Sequence, residues 1–166
     1  MSSASHNQKY VFVDTFDTIA TGLNYADTIL NINQDTKLYL EPDLSNRFDP
    51  KAIAIRVQGT KQKMGYVSKQ DLTTLHSLIM DPNVHTQVVI TAPPPAGKPY
   101  CTITLTFHMV EYSTKESSEN LLLNMLQVIA KAKKESDARK PWNKPKLVST
   151  TTATTTTMDT DDDEED

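Results

Sequence analysis

Cysteine and glycine are scarce in this chain, which has one cysteine, Cys101, and four glycines among 166 residues. A lone cysteine excludes an internal disulfide and a cysteine-rich metal site, a pattern typical of proteins from reducing compartments. Residues 1–10 also lack a basic stretch followed by an apolar one, so we expect no secretory signal. We therefore expect an intracellular protein, nuclear if its source is a eukaryote.

Long apolar runs are absent as well. The most apolar stretch, Leu121 to Ala132, is interrupted by Asn124 and Gln127 and is much shorter than the ~20 residues that a membrane-spanning helix needs. With 37% hydrophobic and 23% charged residues, the composition is that of one packed domain. We expect no contact with a membrane.

Charge is unevenly distributed near the C-terminus. Seven of the last eight residues are acidic, seven cations lie between residues 131 and 146, and a threonine-rich spacer over 149–157 separates the two blocks. The spacer has too few apolar side chains to offset the entropy of ordering it. We expect residues 137–166 to be disordered, residues 1–8 to form a flexible lead, and residues 9–136 to fold.

Alternation of apolar and polar residues dominates the folded part. It is clearest over residues 100–107, and residues 84–91 have the pattern expected of a partner strand. Prolines within the intervening residues 92–99 cannot donate to a strand ladder, so we expect a hairpin with a loop there. Shorter alternations predict further strands that contain residues 11–13, 38–40 and 53–57.

Apolar residues at helical spacing predict a first helix after the strand-rich beginning of the chain. It begins at Ser68, whose hydroxyl is placed to cap it, and ends near Met80, because Asp81-Pro82 cannot continue a helix. Its apolar face contains Leu72, Leu75 and Ile79.

A second helix is predicted near a Ser-x-x-Glu capping box formed by Ser113 and Glu116. Its apolar stripe contains Leu122, Met125, Leu126 and Ile129. The predicted fold class is thus α+β, mainly β with helices. We expect a small mixed or antiparallel barrel over residues 9–112 with one inserted helix, followed by an amphipathic C-terminal helix over residues 113–136.

One segment resembles a known family. A strand leads into an Asn-x-x-Asp-x-x-Ala turn at Asn46, Asp49 and Ala52, and a second strand, a glycine-led strand at Gly65 and a capped helix follow. This order is similar to that of a HIRAN domain over about residues 10 to 109. The resemblance implies an OB-like barrel. It also implies binding of single-stranded DNA, since a helicase-fused member of the family grips its 3′ end.

The resemblance implies roles for three residues of the turn and the helix. Phe48 occupies the position of an aromatic residue that stacks on a base, and Asp49 that of a carboxylate that accepts the terminal 3′-hydroxyl. Lys69 matches a lysine that contacts phosphate. These side-chain types suit the task, because stacking ignores base identity and a carboxylate near phosphates needs a hydroxyl donor.

Three further positions are implied by the same resemblance. Tyr25 matches an aromatic residue beside the DNA, while Asn24 stands where the relative has an arginine and Tyr66 where it has a histidine. The exchanges remove up to two cationic contacts, so we expect weaker binding and a less strict choice of the 3′ end.

Each of these residues also has a purely structural interpretation. Asn46 and Asp49 are favoured turn formers, and Lys69 could be an ordinary solvated cation. The aromatic residues could belong to the core or the barrel rim: Tyr25, Phe48 and Tyr66.

The predicted function is a non-catalytic nucleic-acid-binding module for single-stranded DNA, or its 3′ end, in DNA repair, replication or processing. The four histidines lack paired metal spacing, and neither a glycine-rich phosphate loop nor a nucleophile elbow occurs. We therefore expect no enzyme activity, no metal and no cofactor. The alternative is a protein-interaction adaptor, in which the barrel is a scaffold and the basic segment around Trp142 docks a protein partner.

Overall fold

The computed structural model describes residues 9–23, 34–95, 98–112 and 114–140. The predicted lead over 1–8 and the part of the predicted disordered tail (137–166) that follows residue 140 lie outside these ranges. The elements in chain order are β1 (Tyr10–Thr21), β2 (Leu38–Pro42), β3 (Ile53–Val57), β4 (Lys63–Val67), α1 (Lys69–Ile79), β5 (Val84–Ala92), β6 (Tyr100–Val110) and α2 (Lys115–Arg139).

The strands form one antiparallel sheet in the order β2-β3-β4-β1-β6-β5. The predicted hairpin is confirmed, since β5 and β6 pair with Val88 opposite Leu105, and the proline-rich residues connect them. The inserted helix and the C-terminal helix are also confirmed. The α+β class is therefore correct.

The predicted closure into a barrel is not seen in the part of the chain that the structure describes. Strands β2 and β5 are the two ends of the sheet order, and no ladder joins them. The two end strands nevertheless approach each other, and ahead of β2 the Gln34 side-chain amide donates to the Thr91 carbonyl of β5 at 3.3 Å. Closure needs matched tilt and register of distant strands. Alternation within single strands does not specify either quantity.

Glycine permits the contact between β4 and the end of β1. A Cβ atom on Gly65 would lie 2.6 Å from the Thr21 carbonyl oxygen, which is too close for any side chain. Strand β1 pairs with β4 only at Ala20 and Thr21, so this contact joins the two halves of the sheet. It also brings Tyr66, opposite Thr21, to the place where the loop after β2 passes.

The core lies between one face of the sheet and the two helices. Side chains that are entirely or almost entirely buried come from β1, β6, α1 and α2: Phe16, Ile103, Leu105, Phe107, Leu75, Met125 and Ile129. The predicted helix faces are correct in most positions. In α1, however, Leu78 is buried and Ile79 only partly so, and in α2 Leu126 is 40% exposed. Ala132, which the predicted apolar stripe did not include, is buried instead.

The predicted side-chain cap of α1 is not formed. Ser68 is the N-cap residue of α1, but its hydroxyl makes no capping hydrogen bond. Its buried backbone is instead held by β1, because its amide donates to the Ile19 carbonyl at 3.0 Å. The N-cap residue of α2 is Thr114, again without a side-chain cap, and Ser113 lies outside the described residues.

Helix α2 continues to Arg139, three residues beyond the expected end at 136. The guanidinium of Arg139 pairs with the carboxylate of Asp71 in α1, which also accepts a hydrogen bond from the Thr18 hydroxyl of β1. One turn earlier, Glu135 accepts a hydrogen bond of 2.5 Å from the Thr74 hydroxyl. These contacts hold the last turns of α2 against the domain.

Candidate functional site

The loop between β2 and β3, residues 43–52, is braced by its own hydrogen bonds. The Asp43 amide donates to the Ala52 carbonyl at 2.9 Å and closes the base of the loop. At its tip, the Asn46 side-chain oxygen accepts from the amides of Phe48 (3.0 Å) and Asp49 (3.1 Å). Asn46 therefore has the turn-forming role that its residue type suggests.

Phe48 projects from this braced loop into solvent. Its side chain is 96% exposed, and that of Leu44 is 91% exposed. The interpretation of Phe48 as a core residue is wrong. The Asn46 side-chain oxygen, which accepts from the Phe48 and Asp49 amides, holds the turn, so the aromatic ring is presented on a braced backbone.

The two carboxylate oxygens of Asp49 have different partners. One oxygen accepts the Lys51 amide at 3.0 Å, as a turn residue does. The other lies 3.6 Å from the Lys69 ammonium in the first turn of α1. Since the Lys69 side chain is 76% exposed, this ion pair contributes little to stability. It does place a carboxylate and a cation side by side at the surface.

Asp43, which the sequence analysis missed, is the buried polar centre of the site. Its side chain is only 7% exposed and accepts hydrogen bonds from Ser45 and, at 2.7 Å, from the Tyr66 hydroxyl. The bonds from Ser45 and Tyr66, helped by the charge of Lys63, outweigh burial and lower the pKa of Asp43. The one available signal was Asp-x-Ser after a strand, a common turn pattern.

Lys63, also missed by the sequence analysis, completes this network. Its ammonium donates to the Tyr66 hydroxyl at 3.1 Å and lies 4.0 Å from an Asp43 carboxylate oxygen. It also lies 5.2 Å from the centre of the Tyr66 ring, within the range of a cation–π contact. Tyr66 therefore links a buried anion to a partly exposed cation.

These groups surround an open cleft of about 710 Å³, which we call the loop cleft. Its lining consists of Gly22, Asp43, Ser45, Asn46, Arg47, Phe48, Lys63 and Tyr66. Of the predicted site residues, Phe48 and Tyr66 line the loop cleft directly. Asp49 and its ion-pair partner Lys69 are not part of the lining, but Asp49 follows Phe48 directly in the chain. Asn24 and Tyr25 lie outside the described residues, as does Trp142 of the alternative docking peptide.

The described residues can also be searched for a metal site, a reactive cysteine and a membrane-spanning helix. Within them, no three histidine, cysteine or acidic side chains are grouped so as to hold a metal ion. Cys101 is fully buried, and burial raises the pKa of its thiol, which disfavours the reactive thiolate. None of the helices described is long and apolar enough to span a bilayer. What the loop cleft offers is an aromatic face and cations. The Asp49 carboxylate, next to Phe48 in the chain, adds one oxygen that faces Lys69.

Comparison with known proteins identifies the family. The HIRAN domain profile matches residues 13–110, more than half of the chain. The chain belongs to the HIRAN domain family. The match includes the loop cleft and α1 and ends before α2.

Two solved structures resemble the fold. The HIRAN domain of human HLTF is 19% identical, with a TM-score of 0.55, and the alignment covers 76% of this chain and 92% of that domain. A protein from Lactobacillus plantarum is 20% identical, with a TM-score of 0.48, over 62% of this chain and 99% of that one. No curated protein matches the chain. At 19% identity, the likeness to the HLTF domain establishes the shared fold.

Proposed function

We propose that this HIRAN domain is a non-catalytic module that binds single-stranded DNA at its 3′ end, with the loop cleft as the binding surface. The context would be DNA repair, replication or processing. Family membership supports nucleic acid as the ligand class. The observation that carries the proposal is the almost fully exposed Phe48, presented on a braced loop beside the cations Arg47 and Lys63.

The aromatic residue and the cations suit a single strand. Exposing a phenylalanine to water is unfavourable, and a stacked base would cover its face. Arg47 is exposed on the same loop and lines the same cleft, so it can contact a phosphate next to the stacked base. Stacking combined with backbone charge is how proteins bind single strands without regard to sequence.

The preference for a 3′ end is proposed to come from Asp49. Its second carboxylate oxygen faces Lys69 rather than the backbone of its own turn. A terminal 3′-hydroxyl can donate to this oxygen while Lys69 contacts the preceding phosphate. A strand that continues past this point would bring a phosphate to the carboxylate instead, and the like charges would repel.

The test is fluorescence anisotropy with labelled single strands of about 10 nucleotides that end in a 3′-hydroxyl or a 3′-phosphate. We expect the phosphorylated strand to bind about tenfold more weakly, because a charged hydrogen bond is lost and repulsion is added. Asp49→Ala should abolish this difference. Asp17→Ala, which removes an exposed carboxylate of β1, is the matched control and should keep it.

Two results would contradict the proposal in different ways. If the unmutated protein binds neither strand, nucleic acid is not the ligand. If both strands bind with equal affinity, the domain binds single strands but Asp49 is only a turn residue. RNA strands with the same termini, run in the same assay, show which sugar the site accepts.

A further inference from the structure

We infer that Lys63 is the principal phosphate-binding residue of the loop cleft and that Tyr66 and buried Asp43 position it. This inference rests on the proposed function and deepens it. It also changes the expected order of importance, because the family resemblance implies Lys69 as the phosphate contact. The reasons are the direction of the hydrogen bonds, the burial of Asp43 and the different exposure of the two lysines.

The hydrogen bonds of the network run in one direction. Asp43 is an acceptor, so the Tyr66 hydroxyl must donate its single proton to it across 2.7 Å. The same hydroxyl oxygen then accepts from the Lys63 ammonium at 3.1 Å. Tyr66 therefore has no proton left for a phosphate, and the donor that this group of residues presents to an anion is Lys63.

Burial makes the arrangement rigid. Asp43 is 7% exposed and held by Ser45 as well as by Tyr66, so it fixes the hydroxyl position. The Lys63 side chain is only 22% exposed, whereas that of Lys69 is 76% exposed. Much of the rotamer freedom that a lysine loses on binding is thus already lost at Lys63. A fixed charge binds a phosphate more favourably than an equal charge on a mobile chain.

The position suits a phosphodiester of the strand that stacks on Phe48. Lys63 belongs to β4 and Phe48 to the loop after β2, and both side chains line the loop cleft. Asp43 lies beneath Tyr66 with its oxygens already engaged by donors, so it holds the ammonium without blocking the cleft. The ligand class is a backbone phosphate of a single strand, one or more nucleotides from its end.

The experiment compares salt dependence as well as affinity. Single-strand binding is measured across a series of salt concentrations for the unmutated protein and for Lys63→Met, which keeps the aliphatic stem and removes the charge. Losing one phosphate contact should make the slope of log K against log salt shallower by about 0.7. At low salt we expect binding about tenfold weaker. Lys63→Arg should restore the slope.

Three further variants separate charge from positioning. Lys37→Met, at the exposed residue just before β2 and outside the cleft lining, is the matched control and should bind like the unmutated protein. Tyr66→Phe should weaken binding with an unchanged slope, because the cation remains but is no longer held. Lys69→Met should weaken binding less than Lys63→Met does. Thermal unfolding of each variant shows that the fold is retained.

The inference is overturned if Lys63→Met binds like Lys37→Met, or if Lys63→Met and Lys63→Arg weaken binding equally without a change in slope. Either result would mean that Lys63 does not contact phosphate. These outcomes differ from failure of the proposed function, in which the unmutated protein binds no strand at all.

Discussion

The loop cleft and the C-terminal half of α2 both contain several cations, but they use them differently. In α2 the cations are joined to carboxylates of β1, α1 and α2 itself. The ion pairs are Lys131 with Glu135, Lys133 with Asp14, Arg139 with Asp71 and Lys140 with Asp137. In the loop cleft, exposed Arg47 and Lys63, whose ammonium lies 4.0 Å from an Asp43 carboxylate oxygen, lie beside the exposed ring of Phe48.

The comparison shows that a count of charges in a sequence does not locate a binding surface. Residues 131–146 are the most basic part of the sequence, yet two of their cations, Lys133 and Arg139, pair with carboxylates of β1 and α1 and hold α2 on the domain. The loop cleft has fewer cations, but an aromatic face accompanies them. We therefore propose that the loop cleft binds the strand, whereas Lys133 and Arg139 of α2 stabilise the fold.

The largest effect on binding is expected at Phe48. Phe48→Ala should weaken single-strand binding by about 1 to 3 kcal/mol, the usual loss when a stacking aromatic is removed. Stability should hardly change, because the ring is 96% exposed. Phe12→Ala is the matched control, since this phenylalanine is 58% exposed at the start of β1 and outside the cleft. If both variants bind the strand equally in the anisotropy assay, the Phe48 ring does not stack on a base.

The next effect is expected on stability, at Arg139. Arg139→Gln should lower the free energy of unfolding by about 2 kcal/mol, because Asp71 is buried and would lose its charged partner. Because Arg139 is partly exposed, the expected loss of unfolding free energy is smaller than for a fully buried ion pair. Lys134→Gln, on an exposed position of the same helix, is the control in urea denaturation. The folded Arg139→Gln variant should bind single strands with unchanged affinity. A clear loss of affinity would contradict the proposal that Arg139 serves stability and not binding.

A smaller effect is expected from acid, through Asp43. Hydrogen bonds from Ser45 and Tyr66 lower the pKa of this carboxyl in the folded protein. The ionised group therefore stabilises the fold above its ordinary pKa of about 3.9, and this contribution is lost as pH falls through the folded-state pKa. The gap in unfolding free energy between the unmutated protein and Asp43→Asn should narrow from neutral pH toward acid. A gap that stays constant would show that the charge is not stabilising.

The smallest effect is expected at Lys133. This cation forms an ion pair of 2.7 Å with Asp14, and the pair lowers the pKa of Asp14 although burial raises it. Because the charge is already compensated, Lys133→Ala should change single-strand affinity by less than about twofold at low salt. A tenfold loss in the same anisotropy assay would show that the basic end of α2 binds the strand directly.

Local patterns predicted the elements of the fold but not their closure. Strand β6 and its hairpin partner β5 follow from alternation and from the prolines between them, which act over a few residues. The open sheet depends on β2 and β5, which are far apart in sequence and whose relative geometry no local pattern encodes. The end of α2 was missed for the same reason, because the partner of Arg139 is 68 residues away.

The site was predictable where a residue acts alone. The resemblance pointed to Phe48 and Asp49, and the structure places both on the braced loop at the cleft. It did not point to Asp43 and Lys63, whose importance comes from their shared contact with Tyr66. Three residues from two parts of the chain form this network, so single positions give no sign of it.

The central claim is that the loop cleft, and not the basic end of α2, binds the strand. The most direct measurement is a titration of ¹⁵N-labelled protein with an unlabelled single strand that ends in a 3′-hydroxyl, followed by NMR. The account predicts that the largest amide shifts occur over residues 43–52 and 63–69, while residues 131–140 stay nearly unchanged. The largest shifts in α2, with a silent loop cleft, would contradict it.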